Sequence, residues 1–155
     1  MHVTHRLVRL RERGDTIVEV LIAIAVISLV LGGAYVTTNR SLLATRDAQE
    51  RGTALKLVES QIEQLKGVVA ANPSQVFSGA PASFCISNVS TVSAASSPAC
   101  AVDENGAPAS AEPIYHLSIG LVTTGGLNTF TVTNHWTNVR GDSTDSLQMQ
   151  YRLYQ

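Results

Sequence analysis

One carboxylate sits where a carboxylate is costly. In the stretch GDTIVEVLIAIAVISLVLGG, which begins at Gly14, Glu19 is the single charged side chain between Asp15 and Arg40. An acid at the centre of a membrane helix costs about 2.5–3.5 kcal/mol on insertion scales, and acids found there tend to be buried, paired and functional. The chemistry open to Glu19 is ion pairing with a cation. A plainer reading is also available: lying close to a helix start, it could snorkel to water and be favoured by the positive end of the helix dipole.

The other residue types that carry chemistry are sparse. The runs DENG at Asp103 and GDSTD at Gly141 offer oxygen ligands, but neither has the Asp/Asn alternation and closing Glu of a calcium loop, so both read as solvated turns. The triplet Arg140, Gly141, Asp142 falls where a hairpin turn is expected, and the same triplet recurs at Arg13. His116, His135 and Trp136 lie in strand-like sequence, where packing or hydrogen bonding is the ordinary role. No Ser/His/Asp arrangement, phosphate loop or metal-ligand cluster stands out. The reading is of a protein that is not an enzyme and holds no cofactor and no metal.

The elements that position Glu19 come next. Residues 20–36 are uncharged and rich in Val, Ile, Leu and Ala, enough for a membrane helix of about 17–25 residues. A cleaved secretory signal has a shorter apolar core and a small-residue cleavage site, and this block runs on to Gly32 and Gly33 instead. A plain signal anchor fits it too. In front lie Arg6, Arg9, Arg11 and Arg13; without residues 1–14, the 11 basic and 12 acidic side chains of the whole chain become seven and eleven, formal net −4. Arginines flanking a membrane helix stay cytoplasmic, which places the C-terminal part outside. Phosphate binding needs a basic stripe that is missing after the first residues, so no nucleic acid contact is expected.

Beyond the apolar block, Leu55, Val58, Ile62, Leu65 and Val69 recur at helical steps, and Asp47 and Arg51 are spaced for an i,i+4 ion pair. Gly67 and Pro73 mark a stop. A helix over residues 15–66 extends to roughly 78 Å, far more than a bilayer needs. Residues 72–113 are rich in Ser, Ala, Pro and Gly and read as loop with one short strand at SFCISNVS. IYHLSIGLVTT, NTFTVTNHWTNV and SLQMQYRLYQ then alternate as strands, with turns at Gly125 and Gly126 and around Gly141. The amphipathic half of the helix is the available cover for such a meander, so the expected class is α+β, a long N-terminal helix packed on a small antiparallel sheet.

Cys85 and Cys100 are the only cysteines, and both fall in the exported part, where oxidising conditions favour a disulfide. Closing that loop is worth roughly 3 kcal/mol in the chain-entropy model. Two free thiols or a metal pair are the competing readings, the latter poor for want of further ligands.

The run Gly14, Asp15, Thr16, Ile17, Val18, Glu19, Val20, Leu21, behind its basic leader, resembles the class III signal of type IV pilins and pseudopilins, in which the leader ends in Gly and an acid lies five residues past the cut. The resemblance implies four segments: a leader (1–14), a transmembrane and assembly helix (15–38), its amphipathic continuation (39–67) and a small pilin-like head (68–155). It further implies cleavage by prepilin peptidase between Gly14 and Asp15, methylation of the Asp15 amine, and assembly through the helix with Glu19 pairing to a neighbour's amine. The family commonly has an apolar residue where this chain has Asp15.

The partners so implied are other pilin subunits, the prepilin peptidase, the inner-membrane assembly platform and membrane lipid. The subunit begins as a single-pass cytoplasmic membrane protein and ends in a surface pilus or pseudopilus, more in keeping with a minor pilin than a main one. The rival is a non-polymerising single-pass membrane protein whose small β-domain binds a partner; a secreted β-domain with a cleaved signal is the third.

Overall fold

The computed structural model describes residues 15–87, 91–111, 114–138 and 141–153. The chain divides into two units, Met1–Leu43 and Ala44–Gln155, and helix α1 (Asp15–Ala71) runs through the division. In the first unit every side chain over residues 16–42 is exposed, Leu29 at 79% and Tyr35 at 74%. A helix apolar all round has no face suited to water, so this one is built for lipid or for other helices.

In the second unit α1 turns one stripe inward. Ala54, Leu57, Val58, Gln61, Ile62, Leu65 and Val68 are buried, spaced three and four apart as a single helical face requires. Leu55, expected in that stripe, is 39% exposed. Leu57 takes the inward place two residues on, because Ala54 and Val58 set the line of the face. Nor does the helix stop at Gly67. It continues to Ala71, and Pro73 then opens the short helix α2 (Ser74–Phe77). Proline disfavours helical backbone at the residue before it, so Asn72 leaves the helix, its N–H closing the last turn on Val68 O at 2.8 Å.

The sheet has more strands than the alternation in the sequence shows. β1 (Ser83–Ser87) and β2 (Thr91–Ala94) form one edge, β3 (Ala101–Val102) is a two-residue strand, and β4 (Tyr115–Thr124), β5 (Leu127–Thr137) and β6 (Thr144–Leu153) form the meander. The order is β2-β1-β4-β5-β6 with β3 on β4, and every pairing is antiparallel. β2 and β3 come from the Ser/Ala-rich run expected to be loop, where short side chains leave no apolar alternation to read. Gly125 and Gly126, at φ 59° and 80°, close the β4–β5 hairpin, as a two-residue turn with left-handed backbone at both positions demands.

Two apolar clusters join helix to sheet. Val58, Ile62, Leu65 and Val68 meet Phe84, Ile119, Phe130 and Val132; Ala54 and Leu57 meet Tyr115, Leu117, Trp136 and the two cysteines. β1 pairs with β4 only at Ser83 and Phe84. Where β1 leaves that ladder the buried Gln61 takes over, its Nε2 donating to Ile86 O at 2.9 Å and its Oε1 accepting from Ile86 N at 3.0 Å. One amide side chain thus stands in for a strand residue. Gln61→Leu keeps the volume but strands two buried backbone groups, and should lower stability by about 2–4 kcal/mol, seen as a fall in the thermal midpoint with secondary structure retained.

Cys85 and Cys100 form a disulfide, fifteen residues apart in sequence and both buried. It ties β1 to the turn (Pro98–Cys100) that leads into β3. Replacing both cysteines by serine should lower stability by roughly 3 kcal/mol; thermal unfolding of the oxidised chain with and without a thiol reductant reads the same difference.

Tyr115, 2% exposed, lies 6.1 Å ring to ring from Trp136. Burial pushes its hydroxyl above the ordinary phenol range; the Glu50 charge pushes the same way and the hydrogen bond to Thr53 opposes both. The fold therefore favours the neutral phenol, and the stability it lends is whole below pH about 10 and drains as pH climbs through the raised value. A thermal midpoint that drops above pH about 10 in the native chain, and drops less in Tyr115→Phe, is the expected result.

Candidate functional site

The site is built on the first unit's part of α1. Glu19 is exposed, one helical turn past Asp15, and among the described residues no hydrogen bond or ion pair engages its carboxylate. Gly14 and the Asp15 side chain lie outside the described residues. The next charged residue along the helix is Arg40. Twenty residues separate Glu19 from Arg40, and at about 1.5 Å each they span about 30 Å, the thickness of a bilayer's hydrocarbon core.

The serine and threonine hydroxyls within that span are settled inside the helix itself. Ser28 Oγ donates to Ile24 O at 2.8 Å, Thr37 Oγ1 to Gly33 O at 2.9 Å and Thr38 Oγ1 to Ala34 O at 2.9 Å. Each bond to the carbonyl four residues back lets a polar group sit in hydrocarbon at small cost. Ser or Thr inside an apolar helical run is the sequence signal for them. Glu19 has no such resource, because a carboxylate only accepts. Its need is for a donor, preferably a cation, from another molecule.

Residues 9–35 match the family model for the prokaryotic N-terminal methylation motif. The chain carries the class III prepilin signal of type IV pilins and pseudopilins. The match takes in part of the leader, the Gly14–Asp15 junction, Glu19 and the apolar helix up to Tyr35. No curated protein and no solved structure was found to match the chain. The motif is the one that marks type IV pilin-like subunits processed by prepilin peptidase, and its match covers the N-terminal segment of this chain. By length and composition α1, near the N-terminus, is long and apolar enough to cross a membrane.

Elsewhere in the chain the other candidate residues have local uses. Asp103 Oδ1 accepts from the backbone N–H of Asn105 at 2.8 Å and of Ala107 at 2.9 Å, so the carboxylate shapes its own turn. Asp142 takes a bond from Asn138 Nδ2 at 2.7 Å in the turn at Gly141; Arg140 lies outside the described residues. His116 and His135 face each other across β4 and β5 on the exposed side of the sheet. They do not pack. Trp136 does, at 1% exposure. Asp47 and Arg51 pair at 3.4 Å, and Arg51 also reaches Asp145 on β6 at 3.6 Å. A groove of about 350 Å³ beside the disulfide is lined by uncharged groups such as Ser60, Gln64 and Ser87, which can bind but cannot transfer a proton at neutral pH.

Proposed function

We propose that this subunit is cut by prepilin peptidase between Gly14 and Asp15 on the cytoplasmic side, methylated at the new Asp15 amine, and assembled into a pilus or pseudopilus through its N-terminal helix. Residues 15–38 hold it in the cytoplasmic membrane until then, with the head outside. The partners are other pilin subunits and the inner-membrane assembly platform. The observation that carries this reading is Glu19: an acid unpartnered among the described residues of an all-round apolar helix, five residues past the Gly14 of a recognised processing signal.

The physics of the step follows from the two charges. Moving the helix from lipid into a filament core would bury the amine of each subunit, and a lone buried cation is as unfavourable as a lone buried acid. Brought together with good hydrogen-bond geometry, the two become tolerable. Because each is unfavourable without the other, the pair also fixes the axial register of the incoming subunit. Asp15 brings a second carboxylate next to the same amine, which reduces the net charge at that end and makes the neighbour's Glu19 compete with it.

N-terminal sequencing of the membrane fraction tests the processing step. A chain that begins at Asp15 agrees with the proposal; a chain retaining Met1, or one that has lost residues 20–36, contradicts it.

A further inference from the structure

The two histidines of the sheet have no use in the fold. His116 on β4 and His135 on β5 are direct partners across the ladder. Both are exposed, and among the described residues neither makes a hydrogen bond or an ion pair. The chain's other histidines, His2 and His5, precede Gly14. Every imidazole beyond the basic stretch is therefore in this one pair.

The surroundings leave both rings free to turn toward each other. The row across the sheet runs Ala101, His116, His135, Ser146, and the next residues on the same face are Ser118, Thr133 and Thr137. All of these neighbours are short. Arg152 is the only charged side chain on that face of β4, β5 and β6, and it lies about 20 Å along β6 from Ser146. Directly opposite residues have Cβ atoms about 4.5–5.5 Å apart. A metal ion bonded to two imidazole nitrogens at about 2.0–2.1 Å brings those nitrogens to about 3 Å of each other. Two rings carried on such Cβ atoms lean together to that spacing without moving the backbone.

We propose that His116 and His135 chelate one divalent transition-metal ion, with Cu2+ held tightest. A neutral imidazole keeps a nitrogen lone pair for a metal. Imidazole suits copper, zinc and nickel, and Cu2+ heads the affinity order of the series. Ca2+ and Mg2+ take oxygen ligands and are not accommodated. Among the described residues no third His, Cys, Asp or Glu completes a metal-binding group with the pair, so water fills the remaining positions and the ion stays exchangeable. Because its two protein ligands lie on different strands, the ion also clips β4 to β5 on the side away from the core.

The test uses the full-length chain in detergent, without a histidine tag and with His2→Gln and His5→Gln, so that the pair is the only source of imidazole. Trp136, the chain's single tryptophan, follows His135 directly, and bound Cu2+ quenches its fluorescence. Quenching by micromolar Cu2+ that saturates at one ion per chain, with two nitrogen ligands in the electron paramagnetic resonance spectrum, is the expected result. Zn2+ should raise the thermal midpoint, as an ion held only by the folded chain must, and Ca2+ and Mg2+ should not. A second ligand already held in place makes its bond an intramolecular step, so His116→Gln and His135→Gln should each weaken Cu2+ binding about tenfold or more, with the metal-free midpoint level. No saturable quenching, undiminished affinity in either single variant, a spectrum with one nitrogen ligand, or one ion per two chains would each overturn the proposal.

Discussion

Glu19→Gln should enter the membrane and be processed as well as the native chain, yet be nearly missing from filaments. Glutamine is close in size and removes the charge, so insertion becomes easier by part of the about 2.5–3.5 kcal/mol the acid costs. The loss appears only when the neighbour's amine is buried without a counter-charge. Removing one partner of a buried pair costs about 3–5 kcal/mol, a shift of roughly 150- to 5,000-fold between assembled and membrane pools. Quantitative mass spectrometry of the two pools from cells carrying both versions reads that ratio directly. Glu19→Asp keeps the charge on a shorter arm and should recover part of the incorporation. Equal incorporation of native and Gln subunits would remove the pairing role.

Gly14→Val should abolish processing altogether. A peptidase must bring its catalytic groups against the backbone on both sides of the cut, and glycine is the residue that permits the closest approach. With a branched side chain there the leader stays on, and its four arginines stay at the front of the helix. The amine that Glu19 is proposed to meet is then never formed beside it. The variant should accumulate in the membrane at full length, visible as the slower band on an immunoblot, with none in sheared filaments. A faster band equal to that of the native subunit would show that the cut does not depend on Gly14.

These two residues were readable before any coordinates because each breaks a simple rule of its surroundings. A charge in an apolar run and a glycine that closes a basic stretch are visible one residue at a time. The helix and the β4–β6 meander were readable for the related reason that their periodicity repeats. Gln61 was not. A polar residue on the inward face breaks the helical pattern, and its role depends on β1 parting from β4 after Phe84, a contact between residues 25 apart in sequence. β2 and β3 are not legible in the sequence because their short, Ser- and Ala-rich surroundings carry almost no contrast in hydropathy. Leu55 falls outside the buried stripe because the line of the face, not hydrophobicity alone, decides what is buried; Ala54, small and fully buried, lies against β5, where Asn134 Nδ2 is 3.4 Å from Ala54 O.

The disulfide is intermediate between these cases. The only two cysteines of the chain point to each other, but their spacing alone cannot say that they join a strand to the turn before β3. The cation for Glu19 was out of reach for a different reason. On this account it belongs to another molecule and exists only after the leader is gone.

The most direct measurement follows from that. A hydrophobic carbodiimide can enter an apolar filament core and condense a carboxylate with an amine held against it, and mass spectrometry of the digested filament locates the resulting amide. The account predicts a linked peptide joining Glu19 to the N-terminus of a neighbouring subunit, present in filaments and absent from detergent-dispersed subunits. Filaments in which Glu19 carries only the carbodiimide adduct, with no amide to any neighbour's terminus, would contradict it.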